Sequence, residues 1–185
     1  MSLQQYRTNQ LRRLTNEIGV YALCDLDGVP VYIGQSVDGI RTRARRHLTS
    51  ARSDVVANRQ IDVWEIAFVW GWPVAAKADV AMAEETLFHE YEARQPLMNG
   101  SVPPKPKSKW PIPEPDRVQI LPDDEIERRL EPRERFPRQA QHLTLLLDYI
   151  LETKDAPHLR RSLDAHYQRM KRYYETFQTG HLAGE

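Results

Sequence analysis

The stretch "GVYALCDLDGVPVYIGQS", residues 19–36, consists of two short hydrophobic runs separated by the dipeptide Asp27-Gly28. An Asp-Gly pair between two runs of β-forming residues is a strong signal for a hairpin turn. The stretch therefore predicts two antiparallel strands, over residues 19–25 and 29–34. Each predicted strand carries a tyrosine, Tyr21 in the first and Tyr32 in the second.

Strand alternation predicts where the two tyrosines point, because successive side chains lie on opposite faces of a strand. Tyr21 is expected opposite an apolar face made of Val20, Ala22 and Cys24. Tyr32 is expected opposite Val31 and Ile33, so both tyrosines can share one face. Gly34 lacks a Cβ and would let another group approach the backbone closely there. A simpler interpretation stays open, in which one or both rings only cover the sheet.

The residues around the hairpin predict an α+β unit. We expect an N-terminal helix within residues 1–18, and a helix in "DGIRTRARRHLTSAR" directly after the hairpin. A strand is expected in "IDVWEIAFVWG", residues 61–71, and a helix over 77–94. The order β-β-α-β-α over residues 19–100 predicts a small mixed sheet covered by helices.

The distribution of proline divides the rest of the chain. Nine of the 13 prolines lie between Pro103 and Pro137, and proline fixes φ and lacks an N–H donor. Residues 101–136 are therefore predicted to be an extended connector, with one short helix at "PDDEIERRL". Apolar residues at three- and four-residue steps predict a helical hairpin over 137–179. We expect this hairpin to pack on the first domain or on a second copy of the chain, as a homodimer.

Charge and composition exclude several kinds of site. The chain has 26 basic and 26 acidic residues, so its whole-chain charge indicates no partner, but a basic stripe lies between residues 39 and 53. The stripe contains five arginines and no acid: Arg41, Arg43, Arg45, Arg46 and Arg52. The single cysteine excludes an internal disulfide, and no Cys/His spacing is typical of a zinc site. There is no signal-peptide pattern and no apolar run of about 18 residues, so we expect a cytoplasmic protein with no membrane partner.

Three polar side chains downstream of the hairpin have spacings that indicate how each one is placed on its helix. Arg43 and His47 are four residues apart and would lie one turn apart on one helix face; an ordinary solvated basic helix is the alternative. Glu84 precedes Leu87 and Phe88 by three and four residues, so it lies near the packed edge of its helix. A carboxylate in that position needs a binding partner.

Taken together over residues 18–100, these features resemble the GIY-YIG nuclease family. The resemblance is carried, in chain order, by Gly19-Val20-Tyr21, ten intervening residues, Tyr32-Ile33-Gly34, Arg43, His47, Glu84 and Pro96-Leu97-Met98-Asn99. It implies hydrolysis of phosphodiester bonds with one divalent ion, Mg²⁺ or Mn²⁺, in each active site. The N-terminal helix and everything after Asn99 lie outside the resemblance.

The resemblance also implies a role for each matching residue. Glu84 would be the metal ligand, although Glu85 remains an alternative, and a single hard carboxylate suits Mg²⁺. Tyr21 would deprotonate the attacking water, and its pKa would have to fall from about 10 through nearby cations. Arg43 would hold the scissile phosphate.

Three further matching residues would support the catalytic residues. His47 and Tyr32 would position Tyr21 or the phosphate, and Asn99 would brace the helix that carries the glutamate. Outside the matched residues, four arginines of the basic stripe are expected to contact neighbouring phosphates of DNA: Arg41, Arg45, Arg46 and Arg52.

The predicted function is a metal-dependent DNA endonuclease, restriction-like or associated with a mobile element, with RNA left open as a substrate. The alternative is a catalytically inactive nucleic-acid-binding module that keeps the nuclease scaffold. The basic residues of the last helix predict either a second DNA contact or the charged outer face of an amphipathic helix: Arg160, Arg161, Arg169, Lys171 and Arg172.

Overall fold

A computed structural model describes residues 2–49 and 53–182; Arg52 lies outside the described residues. The helices and strands, in chain order, are α1 (Leu3–Leu11), β1 (Gly19–Cys24), β2 (Pro30–Ser36), α2 (Ile40–Thr49), α3 (Asp54–Ala57), β3 (Phe68–Pro73), α4 (Val80–Glu92), β4 (Asp116–Gln119), α5 (Asp123–Leu130), α6 (Pro132–Glu152) and α7 (Pro157–Leu182). Single 3₁₀ turns lie at Val63–Glu65 and Lys77–Asp79. The predicted α+β class is confirmed, and the order β-β-α-β-α is present with the short α3 added.

The sheet has four strands in the order β2-β1-β3-β4, and each neighbouring pair is antiparallel. The predicted mixed sheet is therefore wrong. β2 and β3 do run in the same direction, but β1 lies between them, so they do not pair. The third strand is also shorter than predicted, because Asp62 accepts a hydrogen bond from the Trp64 N–H at 3.1 Å and starts a 3₁₀ turn.

β1 is the central strand of the fold, and all six of its residues are buried. Helices α1 and α2 cover one face of the sheet, where the core includes Leu11, Leu14, Tyr21, Leu23, Ile40 and Ala44. Helix α4 covers the other face, where the core includes Val20, Ala22, Cys24, Ile33, Trp72, Leu87 and Phe88. A strand buried on both faces carries a continuous apolar run, which explains the sequence "GVYALC".

The proline-rich segment, predicted to be a connector, contributes a strand to the sheet. Its extended part lies over α4 and β3, where the Trp110 N–H donates to Thr86 Oγ1 at 3.1 Å and Trp72 Nε1 donates to the Pro113 carbonyl at 3.0 Å. The chain then pairs with β3 as β4, since "DRVQ" contains no proline. Helix α6 begins at Pro132 rather than at residue 137, because proline is tolerated at the first helical position.

The predicted helical hairpin is present as α6 and α7, which pack together through Leu146, Ile150 and Leu159. Of the two packing arrangements expected for it, packing on the sheet domain is observed. Three basic residues of α7 take part in this contact through their side chains. Arg161 pairs with Glu92 at 2.8 Å, Arg172 donates to Gln95 at 3.0 Å and Arg169 pairs with Asp25. Among the helices described, none is long and apolar enough to cross a membrane.

Candidate active site

The two hairpin tyrosines lie side by side on the face of the sheet that α2 covers. Their ring centroids are 6.2 Å apart; Tyr21 is buried and Tyr32 is half-buried. Gly34 pairs with Tyr21 across the two strands, and a Cβ at Gly34 would lie 2.7 Å from the Tyr21 hydroxyl oxygen. The close approach predicted at Gly34 is therefore made by the Tyr21 side chain itself.

Val31, a neighbour of the tyrosines, is on the face opposite to the predicted one. The β1–β2 register shifts between Leu23 and Cys24, and Val31 packs in the same cluster as Tyr21 while Ile33 packs on the other face. The expectation that Val31 and Ile33 share a face is thus wrong, because an irregularity of one residue reverses the side-chain alternation. Tyr32 lies beyond the irregularity and keeps its predicted side.

A chain of short hydrogen bonds runs from Tyr21 through His47 to Ser53. The Tyr21 hydroxyl lies 2.7 Å from His47 Nε2, and His47 Nδ1 lies 2.6 Å from Ser53 Oγ. All three residues are buried. The imidazole also packs against Tyr32, with ring centroids 5.7 Å apart. Ser53 was not predicted as a site residue, because nothing in its local sequence indicates that it meets His47.

Helix α2 presents Arg43 and His47 to the tyrosines from one face, as their spacing predicts. The helix begins where Asn16, on the loop after α1, accepts a hydrogen bond from the Thr42 N–H at 2.9 Å through its side-chain oxygen. This remote cap satisfies one of the free N–H groups of the first turn. The start of the helix is thereby fixed, and with it the position of Arg43.

Burial stabilises the neutral form of both phenols. It raises the pKa of Tyr21 well above its usual value, and the adjacent Tyr32 raises it further. The Arg43 guanidinium, which hydrogen-bonds the phenol, lowers the pKa of Tyr21 without offsetting the burial. Burial also raises the pKa of Tyr32, with a smaller contribution from the charge of Glu84. The cations near Tyr21 are thus insufficient, without a metal ion, to make it a phenolate.

Glu84 faces Tyr32 from α4, and its half-buried carboxylate accepts a hydrogen bond from the backbone N–H of Gln35. Burial raises the pKa of Glu84, and the charge of Glu85 raises it further, so a nearby cation would favour the ionised form. Within the described ranges, no group of three or more His, Cys, Asp or Glu side chains converges. One half-buried carboxylate is a donor that Mg²⁺ can use, since this ion commonly keeps water and phosphate oxygens as its other ligands.

The cluster opens into a cleft of about 710 Å³. Four predicted residues line the cleft: Tyr32, Arg43, His47 and Asn99. So does Arg46, which was predicted only as an outer phosphate contact. The remaining lining residues were not predicted: Val55, Gln60, Gly100, Ser101 and His158. His158 belongs to α7, far from the matched region in sequence, so only the tertiary fold brings it here.

Two of the predicted phosphate contacts lie elsewhere. Arg41 and Arg45 line a separate groove beside Arg12 and Asn16 at the end of α1. Arg41 also donates to the Arg12 carbonyl at 2.9 Å. The helical repeat explains this division, because positions 43, 46 and 47 share one face of α2 while 41 and 45 lie on another.

Asn99 contacts β2 rather than the helix that it was expected to brace. Its side-chain oxygen accepts from the Ile33 N–H at 3.0 Å, and its Nδ2 donates to the Ile33 carbonyl at 2.6 Å. Asn99 thus holds the strand that carries Tyr32. Comparison with protein-family models and with curated proteins gives no match for this chain.

Proposed function

We propose that the protein is a metal-dependent endonuclease that hydrolyses phosphodiester bonds of DNA, in the manner of the GIY-YIG nucleases that its sequence resembles. The observation that carries the proposal is the 2.7 Å contact between the buried Tyr21 hydroxyl and His47 Nε2, because His47 lines one polar cleft together with Tyr32 and Arg43. Phosphodiester hydrolysis needs a group that removes a proton from water and a cation at the phosphate. This cluster supplies both kinds of group.

In this mechanism Tyr21 is the general base and His47 receives its proton. A neutral imidazole with its proton on Nδ1 donates to Ser53 Oγ and presents the Nε2 lone pair to the Tyr21 hydroxyl, 2.7 Å away. As the water oxygen attacks phosphorus, the water proton passes to the Tyr21 oxygen and the phenol proton passes to Nε2. The P–O bond to the sugar of the leaving strand breaks in the same step, and the leaving sugar oxygen takes a proton from solvent. The buried phenol therefore never has to exist as a resting phenolate, which agrees with its raised pKa.

Arg43 is the phosphate ligand in this proposal. Its Nε–H group is buried and has no hydrogen-bond partner among the residues described. A buried donor without an acceptor is costly, so an anionic oxygen at this point would be bound favourably. A guanidinium there also stabilises the charge that develops on the phosphoryl oxygens.

Glu84 would hold one Mg²⁺ or Mn²⁺ ion. Bound there, the ion would supply Lewis-acid polarisation of the phosphate. The remaining work falls to side chains of the protein: Tyr21 and His47 move the proton, and Arg43 orients the phosphate.

A single cleft of this kind cuts one strand, so cleavage of both DNA strands would need two copies of the chain. We propose the outer face of α7 as the surface that joins them. Tyr167 and Tyr174 are 51% and 43% exposed there, whereas Leu159, nearer the start of the same helix, is buried against α6.

The test is conversion of supercoiled plasmid DNA to the nicked form in Mg²⁺ or Mn²⁺. We expect wild type to cut and Glu84→Gln to cut at least about 100-fold more slowly, because the substitution removes the metal carboxylate. Glu85→Gln, on the same helix, is the matched control and should cut within about threefold of wild type.

Two results would overturn parts of this proposal. Equal cutting by Glu84→Gln and wild type would remove Glu84 as the metal ligand. DNA binding by wild type with no cutting in either metal would leave the inactive nucleic-acid-binding module as the function.

A further inference from the structure

The C-terminal hairpin forms part of the candidate active site. His158, the second residue of α7, lines the same cleft as Arg43 and His47. It reaches the cleft from the other end of the chain, beside Gly100 and Ser101. One wall of the cleft is therefore α2 and another is the start of α7.

The approach of α7 to this wall is tight. A Cβ at Gly100 would lie 3.0 Å from His158 Cβ and 2.6 Å from Gln60 Nε2, so a side chain at position 100 would force them apart. One turn further along α7, the buried Ser162 hydroxyl donates to the Met98 carbonyl at 3.0 Å and accepts from Gln60 Nε2 at 3.2 Å. These contacts fix the backbone at His158 without using its imidazole.

The chemistry of the two walls is complementary to a polyanion. Arg43 and Arg46 are cationic on the α2 side, and Gln60, Ser101 and His158 carry hydrogen-bond donors around them. A neutral imidazole retains one N–H donor, so His158 can bind a phosphate oxygen without first being protonated. A nucleic-acid strand whose scissile phosphate lies at Arg43 would extend past this wall.

We infer that His158 is a substrate-binding residue that donates a hydrogen bond to the sugar-phosphate backbone next to the scissile bond. The inference rests on the proposed function, since it places the substrate in the same cleft. It makes the C-terminal hairpin a part of the substrate site and assigns a role to a residue outside the family-like region.

The test measures binding and cutting separately with a fluorescein-labelled DNA duplex. Anisotropy titrations in Ca²⁺ give the Kd, and nicking in Mg²⁺ gives kcat and KM. We expect His158→Ala to weaken binding about tenfold and to raise KM, with kcat within about threefold of wild type. His158→Gln keeps an N–H donor and should recover part of the affinity.

Gln168→Ala is the control on the same helix, because Gln168 is exposed and does not line the cleft. It removes a polar side chain without changing the net charge and should bind DNA as wild type does. If His158→Ala lowers the melting temperature, the DNA affinities of His158→Gln and wild type are compared under conditions in which both proteins are fully folded. That comparison then decides whether the side chain at position 158 binds DNA.

The two proposals fail in distinguishable ways. Wild-type Kd and KM in His158→Ala, with an active wild-type enzyme, would overturn the role of His158 and leave the nuclease intact. Weakened binding by His158→Ala in a protein that never cuts would support the role of His158 and overturn the nuclease. A wild-type protein that binds no DNA would overturn both.

Discussion

Tyr21 combines two properties that conflict unless a partner is present. Its ring is almost fully buried, which stabilises the neutral phenol, yet the proposed chemistry requires the oxygen to accept a proton. His47 resolves the conflict because its Nε2 lies 2.7 Å from the hydroxyl and can take the phenol proton. Ser53, at 2.6 Å from Nδ1, orients the ring for this purpose.

We predict that Tyr21→Phe folds normally and cuts at least about 100-fold more slowly, since general-base catalysis contributes about 10²–10⁴ in rate. Loss of the hydroxyl should lower the free energy of unfolding by about 1 kcal/mol, because the ring still fills its place in the core. Plasmid nicking and urea denaturation measure the two effects.

Tyr149→Phe is the matched control for this change. Tyr149 donates to Asn58 at 3.0 Å on the outer part of the fold, so its loss removes a tyrosine hydrogen bond outside the cleft. Cutting should be unaffected. A Tyr21→Phe variant that cuts at the wild-type rate would show that Tyr21 is not the base.

At the level of the elements, β2 is an edge strand of the sheet, and the residues after α4 hydrogen-bond to the backbone groups on its unpaired side. The Met98 N–H donates to the Val31 carbonyl at 2.7 Å, and the Asn99 side chain binds both backbone groups of Ile33. Unpaired backbone N–H and C=O groups on an edge strand can pair with strands of other chains. Asn99 therefore acts as one more partner for the strand that carries Tyr32.

We predict that Asn99→Ala lowers the free energy of unfolding by about 2 kcal/mol, because it leaves the buried N–H and C=O of Ile33 without partners. Asn99→Asp keeps the acceptor but replaces the donor with a carboxylate oxygen facing the Ile33 carbonyl, so it should be less stable still near pH 7. Urea denaturation at pH 7 measures both. If the free energy of unfolding of Asn99→Ala equals that of wild type, the prediction is contradicted, and water must hydrogen-bond the backbone groups of Ile33 in the variant.

Across the whole molecule, the hairpin docks on the sheet domain through buried polar groups. Arg138 pairs with Asp62 at 2.6 Å, and His166 Nε2 donates to the Gln60 carbonyl at 2.9 Å. The rings of His142 and His166 lie 4.6 Å apart. Burial lowers the pKa of both histidines, that of His166 to about 3. The docked hairpin therefore requires both rings to be neutral.

This burial predicts how stability depends on pH. Between the ordinary histidine pKa of about 6.5 and the folded value of about 3, the unfolded chain binds a proton at His166 that the folded chain does not. The stabilising effect of a neutral His166 is complete above about pH 6.5 and is lost as the pH falls. The loss amounts to about 1.4 kcal/mol per pH unit.

We predict that His166→Gln, which keeps a donor for the Gln60 carbonyl, removes this dependence. Urea denaturation at pH 7, 6 and 5 should show that the stability of wild type, relative to that of the variant, falls with decreasing pH. The difference between the two slopes should approach about 1.4 kcal/mol per pH unit below about pH 6. The pKa of Glu65 is raised to about 7, so protonation of Glu65 stabilises the folded protein as the pH falls. This contribution to the pH dependence of stability is opposite in sign to that of His166 and is present in both proteins. His89→Gln, outside this interface, should keep the wild-type slope. Parallel slopes for His166→Gln and wild type would contradict the prediction.

Local rules of backbone and side-chain geometry were enough to predict much of this protein. The Asp27-Gly28 turn, the tyrosine face and the shared helix face of Arg43 and His47 follow from turn chemistry and from periods of two and 3.6 residues. The same rules predicted that the proline-rich segment would be extended.

Contacts between distant parts of the chain supplied what those rules could not. Five features depend on which segments pack together: the strand β4, the burial of Gly34 under Tyr21, the pairing of Asn99 with Ile33, the hydrogen bond between Ser53 and His47, and the position of His158 in the cleft. No local sequence pattern encodes that choice, because it is made by burial of the two faces of β1 and by satisfaction of buried polar groups.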